Sequence, residues 1–461
     1  MNDPRRIHIV GVGGPGTSAI AIILAEMGLT VSGSDIRESP TIERLRSFGV
    51  KVSVPHDPSM VAGCDVVTYS AAVRRTNVEL EAASSAGLAV WTRAEMLAWI
   101  ARQSRTIAVA GTHGKTTTTT LLTLILREAG KDPGYLIGAE VPQLPQSAHW
   151  GRELFVVEAD ESDSSHRAIA PQAGILTNVD VDHLDEHGSF DGIVESFDRY
   201  LGAIPGPKVV CGDDPHAVGL ARTHRALTYG LNAADKGPLD VRATEVRFSN
   251  GGAEFTVTSP LGSAQVQVPL RGEHNVRNCL AAIAMAGELG VAPDVAARAL
   301  RDFHGVERRF DLRAVDGGAT FVDDYAHLPA EISAVLAGVR AERSQWKRVI
   351  AVFQPNRFNR MAVLSDSYRD AFVDADVVVI TDIYASGTER IDGVTGKLVV
   401  DAVRAAHPEL RVEWHAERGA LIDFVANEAG AGDLCISMGC GDIETFPDEV
   451  VARRRELSRA H

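Results

Sequence analysis

The sequence predicts an α/β protein of three domains, each built around a largely parallel sheet. The chain has 461 residues, which is too long for one core when domains usually hold roughly 100–200 residues. Short β-branched apolar runs alternate with helical stretches, as in βαβ units. This alternation starts afresh at Thr106 and again after Phe310. We therefore expect domains at residues 1–103, 104–312 and 313–461.

The first predicted domain contains a glycine-rich turn, Gly11–Gly16, between a strand and a helix. The backbone amides of such a turn, with the helix N-terminus, can hold a pyrophosphate. Asp35 follows the next strand, where a dinucleotide site has its ribose-binding acid. The alternative to nucleotide binding is a tight turn between strand and helix that has no ligand. The expected elements are Ile7–Val10, Ser18–Met27, Thr30–Gly33 and Asp65–Tyr69.

The second predicted domain opens with a strand, a glycine loop and a helix that starts in a run of threonines. Backbone amides of the loop can cradle phosphates, Lys115 can neutralise charge near a γ-phosphate, and Thr116 can ligate magnesium. Val109 stands where the strict Walker spacing has glycine, so the sequence predicts a variant P-loop. The candidate phosphate-binding residues are Gly111, Thr112, Gly114, Lys115 and Thr116.

An acidic run, Glu158–Asp163, ends a later apolar strand of this domain. Four carboxylates in six residues repel one another unless a cation lies nearby, which indicates a second magnesium. His183, in Asp182–Asp185 after the next strand, could join Glu158 at that metal. The alternatives are that the acidic run is a solvated loop and that His183 has a structural role. The expected strands are Leu154–Val157 and Gly174–Thr177.

The second domain is expected to close with a hairpin around Asn250–Gly252 and a helix at Asn275–Leu289. Asn275 and Asn278, one turn apart, could contact the edge of an adenine, although Asn275 could instead be an N-cap. At the following junction, Arg308-Arg309-Phe310, an arginine could reach the γ-phosphate when the domains close, or be an ordinary surface arginine.

The third predicted domain carries polar residues after two of its strands, where open α/β sheets bind ligands. Asp323–His327 follows one strand and Gln354–Arg360 follows another. Arg357 and Arg360 suit bidentate pairing with a carboxylate, with solvated loop positions as the alternative. The expected elements are Thr320–Val322, Pro329–Val339, Arg348–Phe353, Val377–Thr381 and Leu434–Met438.

Charge and composition restrict the partners. The net charge is −15, from 46 Lys plus Arg against 61 Asp plus Glu, which argues against a nucleic-acid surface. No segment approaches the ~20 apolar residues of a membrane span. The chain meets a strand before any apolar stretch suited to a signal peptide. The number of cysteines is odd, which fits reduced thiols better than a framework of disulfide bonds. These cysteines are Cys64, Cys211, Cys279, Cys435 and Cys440. We expect a cytoplasmic protein without membrane insertion.

The order of motifs resembles the Mur ligase family. GTHGKTT, EADESD, DHLD, GEHNVRN, VERRF, DDYAH and FQPNRFNR occur in sequence and together span nearly the whole chain. The resemblance implies an ATP-dependent ligase of peptidoglycan precursor synthesis that joins L-alanine to the lactyl carboxylate of UDP-N-acetylmuramate through an acyl phosphate. It further implies a Rossmann-like first domain for the UDP-sugar, a P-loop ATPase-like central domain for ATP and Mg²⁺, and a Rossmann-like third domain for the amino acid.

The resemblance also implies a role for each matching residue. Lys115, Thr116 and Thr117 would serve the phosphates and a magnesium, and Glu158 and His183 a second magnesium. Asn275 would contact the adenine, Asp324 the ribose and Arg309 the phosphates. His327, Arg357 and Arg360 would surround the incoming amino acid. The UDP-sugar would meet Gly13, Gly14, Gly16, Asp35 and Ser70.

The chain departs from the family pattern at a few positions. Leu328 and Asn356 stand where histidines are usual, so glycine or serine remain alternatives to alanine. A related ligase that adds a peptide, or that extends another carboxylate, is a separate alternative. Pro15 and Thr17 stand in the glycine turn where alanine and methionine are usual. No lysine occurs between Lys131 and Lys208, so no carbamylated lysine is expected near the metals. Outside the ligase class, the glycine turn and Asp35 leave a nicotinamide-dependent oxidoreductase as a rival, and a catalytically idle nucleotide-binding regulator is another.

Overall fold

The structure is a computed structural model that describes residues 3–160, 165–182, 187–231, 238–249, 251–342 and 345–460. Within these residues the strands form three sheets, which confirms the predicted α/β class. The described residues fall into two compact units. The first lies within 1–245, 255–266 and 277–302, and the second within 246–254, 267–276 and 303–461. In the described ranges no helix has both the length and the apolar character to cross a membrane.

The first sheet is parallel, with strand order β3-β2-β1-β4-β5. Its helix α1 begins at Pro15 rather than at the predicted Ser18, because a proline in the first turn has no N–H that needs a partner. The elements are β1 (Arg6–Val10), α1 (Pro15–Glu26), β2 (Thr30–Ser34), α2 (Pro40–Ser47), β3 (Lys51–Ser53), β4 (Val66–Tyr69), α3 (Val78–Ser85), β5 (Ala89–Thr92) and α4 (Arg93–Ala101).

The second sheet has the order β15-β14-β13-β12-β11-β10-β6-β9-β7-β8. The alternating pattern predicted as one hairpin forms three strands, β13 to β15. The elements are β6 (Arg105–Ala110), α5 (Lys115–Glu128), β7 (Gly134–Leu136), β8 (Ala148–His149), β9 (Leu154–Glu158), α6 (Ser165–Ala168), β10 (Ala173–Leu176), α7 (Phe190–Ala203), β11 (Lys208–Cys211), α8 (Ala217–His224), β12 (Leu227–Gly230), β13 (Val241–Ser249), β14 (Gly252–Ser259), β15 (Gly262–Val268), α9 (Glu273–Glu288) and α10 (Pro293–Arg301).

The first sheet and the adjoining part of the second sheet share one apolar core. A single cluster of buried side chains includes Ile20 of α1, Met96 of α4, Phe155 of β9 and Phe197 of α7. Helix α1 packs on β8, and α4 packs on α6. The carboxylate of Glu26 strengthens this junction because it accepts hydrogen bonds from Trp150 N at 2.7 Å and Gln146 Nε2 at 2.8 Å. The first sheet and strands β6 to β12 of the second sheet therefore belong to the same compact unit.

The third sheet has the order β16-β17-β21-β18-β19-β20, parallel except for the edge strand β16. Both faces are covered, so strand β18 buries Ala351 and Phe353 on one side and Ile350 and Val352 on the other. The elements are β16 (Asp311–Asp316), β17 (Ala319–Asp324), α11 (Pro329–Arg340), β18 (Arg348–Phe353), α12 (Phe358–Leu364), β19 (Val377–Ile380), α13 (Lys397–Ala406), β20 (Arg411–Trp414), α14 (Arg418–Glu428), β21 (Asp433–Met438) and α15 (Phe446–Ala460).

Candidate active site

The loop between β6 and α5 has the strand, glycine loop and helix order that the sequence predicts. Gly111 has φ of 127° and Gly114 has φ of 81°, a region that residues with a side chain rarely adopt. Gly114 is the N-cap of α5, which begins at Lys115. A β-carbon at position 114 would lie 2.4 Å from Asn278 Oδ1, so the space beside the loop also requires glycine. The N-terminus of helix α5, the end of a helix that favours anions, therefore adjoins the loop.

The threonine run opens α5 despite its low helix propensity. Thr116 to Thr120 are all buried, with Thr117 only 7% exposed. The Thr120 hydroxyl donates to the Thr116 carbonyl oxygen at 2.8 Å, one turn earlier, so this buried hydroxyl has a partner. Burial of the run against the sheet thus offsets the rotamer cost of β-branching.

Lys115 folds back over the loop that precedes it. Its Nζ donates to the carbonyl oxygens of Gly111 at 2.8 Å and Thr112 at 3.2 Å, and it lies 3.7 Å from Asp160 Oδ1. A phosphate oxygen would be a stronger, charged acceptor for the same ammonium group. Lys115 is therefore positioned to exchange neutral backbone partners for an anion bound at the loop.

Residues at the end of β10 hold the peptide of His113 in the middle of the loop. Asn178 Oδ1 accepts the His113 N–H at 2.8 Å, and Asn178 Nδ2 donates to the His113 carbonyl at 3.0 Å. Thr177 Oγ1 donates to the same carbonyl at 2.6 Å. The imidazole Nε2 of His113 lies 3.0 Å from Asp180 Oδ2. Although burial alone raises the pKa of Asp180, this contact holds it below the ordinary value.

Thr116 and Glu158 bring two oxygen ligands together beside the loop. Thr116 Oγ1 donates to Glu158 Oε2 at 3.0 Å, and Glu158 Oε1 accepts the Gly138 N–H at 2.6 Å. Burial raises the pKa of Glu158, against the opposing effects of these hydrogen bonds and of Lys115. A desolvated carboxylate is stabilised by a nearby cation, and hydroxyl and carboxylate oxygens are ligands that Mg²⁺ prefers.

Part of the predicted metal site cannot be compared with the structure. Glu161 and Asp163 of the acidic run, and His183, lie outside the described residues. Within the described ranges, no three histidine, cysteine, aspartate or glutamate side chains gather as a metal-binding group. Thr116 and Glu158 therefore remain the described candidates, and their metal roles stay predictions.

Asn275 lies in the first turn of α9, so its interpretation as an N-cap is wrong. The helix begins at Glu273, and the Gly272 carbonyl accepts the N–H groups of Asn275 and Val276. The Asn275 side chain donates from Nδ2 to the Arg271 carbonyl at 2.9 Å. Its predicted contact with adenine remains untested. Asn278 lies against Gly114 and accepts a hydrogen bond from Thr118 Oγ1 at 3.4 Å.

In the first sheet, Asp35 holds the glycine turn. Asp35 Oδ2 accepts the Gly13 N–H at 2.9 Å, and a β-carbon on Gly13 would lie 2.9 Å from the same oxygen. Ser70 lies beside the turn after β4, with its Oγ 3.7 Å from the place of a β-carbon on Gly14. The Arg93 guanidinium is 3.0 Å from the corresponding place on Gly16. The predicted sugar-nucleotide residues therefore lie together, and an arginine stands beside them.

At the end of β17, Asp324 organises the junction that precedes the third sheet. It is 4% exposed, and its two oxygens accept the N–H groups of Ala326 at 2.7 Å and Phe310 at 2.8 Å. Burial raises the pKa of Asp324 to about 6, although the charge of Arg309 opposes this. The guanidinium carbon of Arg309 lies 5.0 Å from the Tyr325 ring centre, within cation–π range.

The candidate amino-acid residues occupy the carboxyl edge of the third sheet. His327 Nδ1 lies 3.3 Å from Glu331 Oε2. Arg357, with φ of 62°, precedes α12 and donates its N–H to the Tyr384 carbonyl at 2.9 Å. Arg360 is 9% exposed and donates from Nη1 to Asn356 Oδ1 at 2.7 Å. Two guanidinium groups and an imidazole thus lie at the edge where parallel sheets bind ligands.

Several residues of these sites were not found from the sequence. Asn178 and Asp180 contact His113 in the phosphate loop. Arg93 flanks the glycine turn, and the Tyr384 carbonyl accepts the N–H of Arg357. Their contacts join positions far apart in the chain, 65 residues for His113 and Asn178. The one available signal was their location just after strands of a parallel sheet.

Comparison with known domain families covers most of the chain. Residues 6–105 match the Mur ligase family catalytic domain, residues 109–286 the Mur ligase middle domain, and residues 308–441 the Mur ligase glutamate ligase domain. The phosphate loop and Glu158 lie in the middle match, whereas Arg309, His327 and Arg360 lie in the third.

Curated relatives and solved structures agree with these matches. The UDP-N-acetylmuramate–L-alanine ligase of Rubrobacter xylanophilus is 41% identical over 453 residues, covering 97% of this chain and all of its own. That of Sorangium cellulosum is 41% identical over 458 residues, covering 97% and 96%. Among structures, the UDP-N-acetylmuramate-alanine ligase of Thermotoga maritima has a TM-score of 0.79 at 26% identity, covering 98% and 99%. A murein peptide ligase of Psychrobacter arcticus has a TM-score of 0.70 at 26% identity, covering 97% and 98%.

Proposed function

Because the chain belongs to the Mur ligase family, we propose that it joins L-alanine to the lactyl carboxylate of UDP-N-acetylmuramate with hydrolysis of ATP. The main support for this proposal is the 41% identity, over 97% of the chain, to relatives that are named for that activity. The phosphate loop with Lys115 supports the ATP requirement. An oxidoreductase function leaves that loop without a purpose, and the first glycine turn serves equally well for a UDP-sugar.

The reaction proceeds in two steps. A lactyl carboxylate oxygen attacks the γ-phosphorus, the bond to the β-bridging oxygen breaks, and ADP leaves with its electron pair. The alanine amine then attacks the acyl carbon, inorganic phosphate leaves, and the amine loses a proton. Lys115 and the amides after Gly114 stabilise charge on the transferring group, where the protein's contribution to phosphoryl transfer mainly lies.

Magnesium fits the oxygen ligands beside the loop. Thr116 would hold one ion, and the desolvated Glu158 would hold a second, with His183 as a further predicted ligand of that second ion. When bound, the ions neutralise phosphate charge and orient the transferring oxygens. Asn178 and Thr177 meanwhile keep the loop in one shape before any nucleotide arrives.

The remaining roles follow the predicted division of the chain. The glycine turn with Asp35 and Ser70 takes the UDP-sugar. Arg309 meets the phosphates, Asp324 the ribose and Asn275 the adenine. His327, Arg357 and Arg360 receive the amino acid, whose carboxylate suits the paired guanidinium groups. A cytoplasmic location belongs to the same proposal, and the free thiols of the five cysteines support it because reduced cysteines are typical of that compartment.

The test is phosphate release by the purified protein with ATP, Mg²⁺ and UDP-N-acetylmuramate across a panel of L-alanine, glycine, L-serine and a tripeptide whose N-terminal L-alanine amine is free. We expect the highest kcat/KM with L-alanine. Release with the tripeptide alone would instead identify a peptide ligase, and a preference for glycine or serine would assign the departures Leu328 and Asn356 to specificity. No release with any acceptor would overturn the proposal.

A further inference from the structure

The first sheet contains a buried ionic cluster that the proposed reaction does not use. His8 of β1, Ser34 at the end of β2 and Glu79 of α3 are all 0% exposed. His56, from the segment after β3, is half-buried against them. We call these four residues the Glu79 cluster. A carboxylate is rarely buried completely unless it is paired and hydrogen-bonded, so the contacts of Glu79 need an explanation.

Glu79 connects three separate segments of the sheet. Its Oε2 accepts a short hydrogen bond from the Ser34 hydroxyl and lies 3.4 Å from His8 Nε2 and 3.3 Å from His56 Nδ1. Its Oε1 accepts the Asp57 N–H at 2.7 Å. The Ser34 oxygen is also 2.8 Å from His56 Nδ1. One side chain of α3 thus contacts the middle of β1, the end of β2 and the segment after β3.

The charge on Glu79 is stabilised where it lies. Burial alone raises the pKa of this carboxyl, but the close contact with His8 and the hydrogen bonds from Ser34 and the Asp57 N–H outweigh it and hold the pKa below the ordinary value. Glu79 is therefore a carboxylate at neutral pH. A charge-assisted hydrogen bond to Ser34 is stronger and more directional than a neutral one.

Ser34 transmits this placement to the glycine turn. Its carbonyl oxygen accepts the N–H groups of Gly11 at 2.8 Å and Val12 at 3.0 Å. The next residue, Asp35, accepts the Gly13 N–H through its carboxylate. Successive amides at the start of the turn are therefore held by Ser34 and Asp35. Any movement of Ser34 moves the turn with it.

We infer that Glu79 is a positioning residue of the UDP-sugar site: through Ser34 it fixes the glycine turn in the shape that receives the diphosphate. This inference rests on the proposed function, which assigns the turn to the UDP-sugar. The phosphate loop of α5 depends on Asn178 and Thr177 for its shape. Loss of the Glu79 charge should therefore weaken binding of the UDP-sugar and leave ATP binding unchanged.

The experiment compares Glu79→Gln with Glu81→Gln in the full-length enzyme. Glutamine keeps the size of the side chain and removes the charge, and Glu81 lies on the same helix but is exposed. We expect Glu79→Gln to raise the KM for UDP-N-acetylmuramate about tenfold, which equals about 1.4 kcal/mol of binding free energy. The KM for ATP and kcat at saturating substrate should stay at the wild-type values. Glu81→Gln should match wild type throughout.

A second variant, Ser34→Ala, removes the hydroxyl that connects Glu79 to the turn and should raise the same KM. It preserves the test if Glu79→Gln does not fold. An unchanged KM for the UDP-sugar in a folded variant would overturn the inference, and so would an equal loss for both substrates, which marks a merely structural role. Calorimetric titration of wild-type protein with UDP-N-acetylmuramate separates the two proposals, because absence of binding there would overturn the proposed function itself.

Discussion

Replacing Gly114 by alanine tests whether the shape of the phosphate loop sets the rate. The change adds one methyl group at a residue with φ of 81°, beside Asn278. An L-residue in the left-handed region costs about 1–2 kcal/mol, which should appear as lost stability. The new β-carbon would lie 2.4 Å from Asn278 Oδ1, whereas ordinary contact begins at 3.4 Å, so the two must separate by 1.0 Å (3.4 minus 2.4).

That separation predicts the loss of activity. Displacing a catalytic loop by about 1 Å can cost on the order of a hundredfold in rate. At about 1.36 kcal/mol for each factor of ten, the transition state should lose roughly 2.7 kcal/mol. We expect Gly114→Ala to lower kcat/KM for ATP by about this factor, measured by phosphate release with the UDP-sugar and L-alanine saturating.

Gly130→Ala is the matched control. Gly130 follows the other end of α5 with φ of 75°, and a β-carbon there would meet nothing within 4 Å. It should lose about the same 1–2 kcal/mol of stability but keep wild-type kinetics. Wild-type kcat/KM in Gly114→Ala, or an equal loss of activity in Gly130→Ala, would refute the reasoning.

Three further predictions address the other parts of the site. Thr116→Val removes the hydroxyl oxygen proposed for magnesium and should raise the Mg²⁺ concentration needed for half-maximal phosphate release. Thr116→Ser keeps the hydroxyl and should not raise it. Identical Mg²⁺ titrations of the two variants would contradict the ligand role. Asn356→Leu removes the acceptor of Arg360 Nη1, a charged hydrogen bond of about 1.5–3 kcal/mol, and should raise the KM for L-alanine at least about tenfold with an unchanged KM for ATP. For Asp324, the folded pKa of about 6 exceeds the ordinary aspartate value of 3.8, so its contribution to stability is full below pH 4 and is lost as the pH rises through 6. Between pH 4 and pH 7 the unfolding free energy of wild type should fall relative to Asp324→Asn by up to about 3 kcal/mol, and parallel denaturation curves at both pH values would count against it.

The sequence predicted best what depends on neighbouring residues. The strand at Arg348–Phe353 was located to the residue because its apolar run is bounded by polar ends, and the loop before α5 was recognisable from glycine, lysine and threonine at fixed spacing. The role of Asn275 was ambiguous, because its neighbouring residues did not show where the helix begins. An asparagine near a helix start is often a cap, and only the observed start at Glu273 removed that interpretation.

The residues that shape the site from a distance were beyond local patterns. Asn178 contacts a peptide 65 positions away, and Glu79 contacts a serine 45 positions away. Nothing in the local sequence distinguishes Glu79 from the exposed Glu81, because helix α3 has too few apolar residues to define its buried face. Register between strands, which brings Ser34 opposite Val10, decides these contacts and is set by the whole sheet.

The core shared by the first two sheets bears on how the enzyme melts and how it can be divided. A fragment cut near residue 103 would leave α1, α4 and the carboxylate of Glu26 without β8, α6 and Trp150. Each large apolar side chain stranded in water forfeits about 1.5–3 kcal/mol, against a whole-domain stability of only about 5–15 kcal/mol. Ligand screening against the excised first sheet would thus be performed on an aggregating or partly unfolded polypeptide, and calorimetry should record the melting of the first sheet together with β6 to β12 in a single endotherm.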